Sequence, residues 1–219
     1  MEVNRRSLAE DLLVLCSDQD RGRPRIPGTH LGLGLGGALL LDLVLHGRVA
    51  LADGHVVAVD HTLLGDPLLD AALREVASDP RSREPGHWVR HLSRGARSAV
   101  EQHLAAAGVL QVDDHRVLGI FHVHRCHQTD TRHRHELVER LQEAVVLGRT
   151  PSAQVAALVS LALAVRLGQH LFPRADRRAI QLRMQEIADG EWVGAAVSHN
   201  LDAVDAALGI PPVGTGDGW

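Results

Sequence analysis

Residues 92–124 read LSRGARSAVEQHLAAAGVLQVDDHRVLGIFHVH, and this stretch decides the fold. The first half has helical character and ends at Gly108, while 109–112 and 117–121 have the β-branched and apolar content of short strands. Asp113, Asp114, His115 and Arg116 read as the turn between those strands. On the helix, Arg94 and Arg97 lie three positions apart and so share a face. Arginine carries a planar, permanent charge whose fork suits phosphate, so the pair can grip one anionic group beside a projecting hairpin. Arg116, Leu118, Ile120 and Phe121 are that hairpin's candidate contacts with a membrane or a second copy. In a plainer reading the arginines are solvated decoration and the hairpin only packs.

Working outward, the longest apolar run, 31–45, is short for a bilayer and is interrupted by Asp42, which makes it a buried helix. Its opening letters, GLGLGG, match a dinucleotide fingerprint, but the segment before them, RGRPRIPGTH, is loop-like where that fingerprint needs a strand. The glycines fit better as places where another helix approaches closely. Residues 48–60 form two alternating runs around Asp53-Gly54, a hairpin signal. Asp66 and Pro67 are a helix N-cap and first helical position for 65–77. Residues 86–92 form a short helix anchored by Trp88, and 130–147 is amphipathic, with Leu137, Leu141, Val145 and Val146 on one face. The apolar segment 151–171 is the expected central core helix. Helices over 176–188 and 191–208 complete the set. The fold class is mainly α: one helical domain over 1–208, with a buried helical core, surrounding amphipathic helices and short β-hairpins, then a loose tail over 209–219.

The chain has 219 residues and a formal charge of −4, enough length for one large core and too acidic for bulk nucleic-acid binding. All 23 basic residues are arginine and tyrosine is absent, a bias that fits a GC-rich genome. Two cysteines, Cys16 and Cys126, make no disulfide framework. No charged-then-apolar leader opens the sequence, so a reducing cytoplasm is the expected setting.

His122, His124, Cys126 and His127, in HVHRCH, are followed by His133 and His135. They lack the paired spacing of a structural zinc site, so neither metal nor cofactor is expected. A charge role fits better, with histidines near an anionic bilayer gaining protons as pH falls. Asp66, Asp70, Glu75 and Asp79 could be drawn as a carboxylate set, but capping accounts for the first and a solvated helix face for the rest. Ser98 and His103 share a helix without a third, orienting group. Catalysis is not expected.

The chain resembles the Golgi phosphoprotein 3 (GPP34) family from Leu8 to about Leu208. The resemblance is carried by LAEDLLVLCSDQDRG, GALLLDLVLHGRVAL, LGDPLLDAAL, RGARSAVEQHLAAAGVLQ with VLGIF, and FPRADRRA with GEWVGAAV, in that order. It implies a mainly α-helical domain with a protruding hairpin. It also implies a peripheral membrane protein that binds phosphatidylinositol 4-phosphate and, in eukaryotes, holds membrane-protein clients. Arg94 and Arg97 match the two arginines of the family's lipid site. A tryptophan before the Gly-rich helix and an arginine within it are unmatched, Gly36 standing where the arginine would be. An arginine-only chain of this kind fits the bacterial branch. The expected partner is therefore an anionic phospholipid or phosphoinositide surface on the cytoplasmic face of a membrane, with a membrane-protein client and a homo-oligomer as further candidates and no nucleic acid. The rival readings are a winged-helix-like nucleic-acid module using Arg94, Arg97 and Arg116, and a scaffold whose hairpin mediates self-association.

Overall fold

An 18-residue helix, Gly28–Leu45, runs through the middle of the protein and organises everything around it. In chain order the elements are α1 (Leu8–Cys16), α2 (Gly28–Leu45), β1 (Val49–Ala52), β2 (His55–Ala58), α3 (Pro67–Ser78), α4 (Pro85–Leu92), α5 (Ala96–Ala106), β3 (Leu110–Val117), β4 (Phe121–Gln128), α6 (Thr131–Val145), α7 (Ala153–Ala164), α8 (Gly168–Leu171) and α9 (Arg177–Ala188). The computed structural model describes residues 6–18, 24–117, 121–128, 131–189 and 194–200, with the side chains of 111–128 outside the description. A further helical stretch covers 194–200. The fold is mainly helical, with two antiparallel hairpins among the described residues.

The centre belongs to α2, not to the segment 151–171 expected there. Helices α1, α3, α4, α5 and α7 all pack on α2, and its side chains from Leu33 to Leu43 are buried. By length and composition α2 could cross a membrane, but here its faces are covered by protein. The 151–171 segment instead splits into α7 and α8. Arg166 adopts φ +60°, a left-handed conformation that an α-helix cannot propagate, and the chain turns there.

Two glycines let the helices approach α2 closely, as the sequence suggested. A Cβ on Gly36 would lie 2.6 Å from the Val89 carbonyl oxygen and 2.7 Å from the Ser93 nitrogen, so α4 ends in backbone contact with α2. A Cβ on Gly34 would meet Val165 at 2.6 Å.

The expected cap forms at Asp66, and a second, which the sequence reading did not name, forms at Asp176. Asp66 accepts from the Leu68 and Leu69 amides ahead of Pro67, and Asp176 accepts from the Ala179 amide. Asp53 and Gly54, both at positive φ, close the β1–β2 hairpin. The helix expected over 191–208 is described only at 194–200. There Asn200 donates to the Gly86 carbonyl at 3.1 Å and accepts from Arg90 at 2.5 Å, fastening this stretch to α4. The tail 209–219 lies outside the described residues.

Helix α1 is buried along its whole length, polar residues included. Ser7 and Glu10 form a reciprocal capping box, with the Ser7 amide donating to Glu10 Oε2 at 2.8 Å and the Glu10 amide to Ser7 Oγ at 3.2 Å. Asp42 of α2 accepts from the Leu8 amide at 2.8 Å. Burial pushes the Asp42 carboxyl well above the ordinary carboxylate range, against the pull of the Leu8 and Ala9 amides.

Candidate functional site

Helix α4 starts on Pro85, buries Trp88, Val89 and Leu92, and stops at Leu92. The chain then folds back on itself. The Ser93 amide donates to Val89 O at 3.0 Å, the Arg94 amide to His91 O at 3.2 Å and the Ala96 amide to Ser93 O at 3.3 Å. Gly95 takes φ +77° and serves as the N-cap of α5. Arg94 and Arg97 therefore do not ride one helix face, as the three-residue spacing suggested. Arg94 sits in the turn before Gly95, and Arg97 lies in the first turn of α5.

Arg94 is exposed and its guanidinium has no partner among the described residues. Arg97 is half-buried and its Nε donates to Glu101 Oε1 at 2.7 Å. That contact occupies one edge of the fork and leaves the terminal nitrogens as donors. The first turn of α5 carries no acidic residue and no side-chain cap, so its amides add to the positive field at the turn. Beneath the turn lies the glycine stripe of α2, with Gly36 against Ser93 and the position of a Gly32 Cβ 3.9 Å from the Ser93 carbonyl. The loop 24–27 entering α2 is proline-rich and carries no aromatic residue.

Helix α5 ends as expected at Gly108, φ +71°, where the Val109 amide bonds back to Leu104 O at 2.9 Å. The hairpin that follows is longer than its sequence suggested. Asp113, Asp114, His115 and Arg116 are strand residues, with Cα partners Arg125, His124, Val123 and His122. The segment HVHRCH belongs to β4 instead of following the hairpin. Val117 pairs with Phe121, so the connection is 118–120. Leu118 and Ile120 lie in that connection, outside the described residues, and the side chains of Arg116 and Phe121 are outside the description as well.

Both helices that flank the hairpin are tied to buried carboxylates of α1. His133 of α6 has Nε2 at 2.7 Å from Asp11 Oδ1, and His103 of α5 has Nε2 at 3.7 Å from Glu10 Oε1. Sequence reading passed over these links; the Ser7–Glu10 capping spacing was their one visible trace.

The remaining candidates have structural partners. Asp66 caps α3, while Asp70, expected on a solvated face, is buried and accepts from the Leu64 amide at 2.7 Å. Glu75 pairs with His91 at 2.7 Å. Asp79 takes the Arg81 amide and Arg83 Nε, bonds that hold its carboxyl below the ordinary range. Ser98 accepts from Gln102, not from His103. His135 faces Glu139 at 3.3 Å. Among the described residues, no three histidine, cysteine or carboxylate side chains converge on a metal-sized site. The Cys16 thiol is buried and its pKa is pushed up to about 12 by that burial, so it is a poor nucleophile.

The Golgi phosphoprotein 3 (GPP34) family model matches residues 8–204.

Proposed function

This chain belongs to the Golgi phosphoprotein 3 (GPP34) family, and on that premise we propose that it is a non-catalytic peripheral membrane protein. In this reading Arg94 and Arg97 grip anionic, phosphoinositide-like headgroups at the cytoplasmic face of a membrane. The β3–β4 hairpin makes a second contact with the bilayer or with another copy, and the attached protein serves as an adaptor for membrane proteins.

The observation that carries the reading is the α4–α5 turn. An exposed arginine without a partner among the described residues, a helix start without a side-chain cap and a second arginine whose terminal nitrogens remain as donors all lie within four residues. Arginine forks and helix amides are both suited to phosphate oxygens. The turn rests by backbone contact on α2, so the site needs little ordering when a headgroup arrives.

The test is co-sedimentation with vesicles of phosphatidylcholine alone, with added phosphatidylserine, and with added phosphatidylinositol 4-phosphate. The Arg94→Ala/Arg97→Ala variant should bind the anionic vesicles more weakly. Each charge near such a surface contributes on the order of 1 kcal/mol, so the loss is roughly tenfold or more. Because Arg97→Ala also strips Glu101 of its partner, Arg94→Ala alone is the cleaner variant and should show about half of that loss in free energy. A folded double variant that sediments like the wild type would refute the assignment.

A further inference from the structure

Read along the chain alone, the histidines and cysteine of HVHRCH lack the paired spacing of a structural zinc site. The β3–β4 ladder changes what stands beside them. Alternate residues of a strand share a face, so His122, His124 and Cys126 fall on one face of β4 and His127 on the other. Residues opposite one another across an antiparallel pair share a face as well. Arg116, Asp114 and Val112 of β3 are the Cα partners of His122, His124 and Cys126. By register, then, one face carries Arg116 with His122, Asp114 with His124, and Val112 with Cys126 on successive rungs.

Spacing and charge narrow this face to one set of ligands. Opposed residues stand about 4.5–5.5 Å apart and residues two apart along a strand about 7 Å, spans that a carboxylate, an imidazole and a thiolate can bridge to one ion. Positions 114, 124 and 126 satisfy both spans. His122 and Cys126 are about 13–14 Å apart along the strand, too far to share that ion. Charge decides which of them joins Asp114 and His124. The rung of His122 brings Arg116, a fixed cation, whereas the rung of Cys126 brings the neutral Val112. The other face offers no equivalent set. Its carboxylate, Asp113, stands opposite the cation Arg125, and His115 pairs with Val123, four residues from His127.

We propose that Asp114, His124 and Cys126 form a zinc site across β3 and β4, separate from the α4–α5 turn and independent of the reading given to that turn. Thiolate, imidazole and carboxylate are each zinc ligands, and the mixture suits a borderline-soft ion without a geometric preference of its own. Magnesium and calcium take oxygen ligands and match this set poorly. Three ligands leave the fourth position of a tetrahedral ion to water or to another group. The ion joins β3 to β4 by a contact that owes nothing to the core, so the order of the hairpin depends on metal.

The test titrates the full chain, without a histidine tag and stripped of metal by a chelator, with zinc against a chromophoric competitor and with cobalt as a spectroscopic stand-in. The wild type should bind one equivalent of zinc, and its cobalt form should show near-ultraviolet absorption from thiolate to metal. Cys16 cannot supply that signal, because its thiol is buried and its pKa pushed up to about 12. Cys126→Ser should abolish the absorption. Loss of an outer-shell partner already costs roughly 10–100-fold in metal affinity, so Cys126→Ser, His124→Gln and Asp114→Asn should each weaken zinc binding by about a hundredfold or more. His122→Gln and Arg94→Ala should leave it unchanged. Amide hydrogen exchange over 110–117 and 121–128 should slow when zinc is added to the wild type and not when it is added to His124→Gln. Three separate ligand variants, each compared with the metal-free wild type by thermal unfolding, keep lost ligation distinct from lost folding. A wild type that binds no zinc, or whose cobalt form lacks the thiolate absorption, would overturn the site. So would undiminished binding by Cys126→Ser and His124→Gln, or a loss in His122→Gln equal to that in His124→Gln.

Discussion

His133 Nε2 lies 2.7 Å from Asp11 Oδ1, joining the first turn of α6 to a carboxylate in the first turn of α1 whose side chain is 4% exposed. Asp11 has a neighbour in Glu10, itself buried, which caps α1 and faces His103 of α5. The two helices that carry the β3–β4 hairpin thus share one anchor. The helices on either side of the hairpin therefore both meet α1, which is remote from them in sequence.

Removing one partner of that anchor leaves a buried carboxylate without a donor. His133→Leu should therefore lower stability by about 1–3 kcal/mol, read as a lower urea midpoint with an unchanged slope. His135→Leu is the control. His135 pairs with Glu139 on an exposed helix surface, and surface pairs are worth little, so its midpoint should move by less than about 0.5 kcal/mol. Equal effects of the two variants would mean that the Asp11 contact contributes nothing beyond a surface pair.

Asp42 yields a pH prediction. Its carboxyl is raised well above the ordinary range, chiefly by burial. The folded state therefore holds a proton that the unfolded state releases near pH 4, and linkage makes stability fall as pH rises from about 4 up to the raised folded value. Asp42→Asn keeps an oxygen for the Leu8 amide and cannot ionise. Relative to wild type it should gain stability as pH rises through that window, and near pH 7 it should be at least as stable. Asp42→Leu removes the acceptor and should cost about 1–3 kcal/mol. Urea denaturation at several pH values measures both, and a wild type whose stability difference from Asp42→Asn is flat with pH would contradict the assignment.

Two glycines on the same helix should respond in opposite directions. Gly32 has room for a Cβ, the nearest atom being the Ser93 carbonyl oxygen at 3.9 Å, whereas a Cβ on Gly36 would sit 2.6 Å from the Val89 carbonyl oxygen. Gly32→Ala should be neutral or stabilising by up to about 1 kcal/mol, the helix-propensity gain. Gly36→Ala should lose about 1–3 kcal/mol, because backbone must give way and backbone moves less readily than a side chain. Gly36→Arg, the residue the family resemblance would place there, should be destabilised at least as much, since the α4–α5 turn would have to lift off α2. Thermal unfolding of the three variants decides the matter, and a stable, unshifted Gly36→Arg would show that the α2–α4 spacing is adjustable.

Local chemistry was legible in the sequence wherever it acts within a few residues. Asp66 and Asp176 announce their helices because a side-chain acceptor and a free amide lie within one turn. Asp53-Gly54 announces its hairpin because both residues tolerate positive φ. The sequence reading separated the two helices near Leu92, but the place of the break, at Gly95, was masked by continuity. Leu92, Ala96, Val100 and Leu104 are all buried and fall every four residues straight through the turn, so the apolar pattern of one helix survives in two. The same happens at Arg166, where Leu161, Val165 and Leu167 continue an apolar run across a left-handed residue. Asp113 and Asp114 suggested a turn by composition, but the strand partners supplied by β4 override that local preference. Which carboxylates are buried depends on packing across the whole chain, and no short window shows that Asp11 meets a histidine 122 residues away.

The last prediction concerns the division of labour between the arginines and the hairpin. Attraction of an exposed arginine to a bilayer is electrostatic and screened over about 8 Å at physiological salt, so that component weakens as salt rises. Burial of apolar side chains carries no such dependence, and each one fully inserted from Leu118, Ile120 or Phe121 would add roughly 1.5–3 kcal/mol. The register dictates how to remove the tip without disturbing the root. Leu110, Gln111 and Val112 pair with Gln128, His127 and Cys126, so replacing 113–125 by a short Gly-Ser linker keeps three rungs of the ladder. It also spares Arg94, Arg97 and both histidine anchors. The shortened protein should fold, bind anionic vesicles more weakly, and lose its remaining binding more steeply as salt is added. Wild-type affinity together with a wild-type salt slope would show that the hairpin serves contact between copies, which sedimentation velocity would then report as a shift toward monomer in the shortened chain.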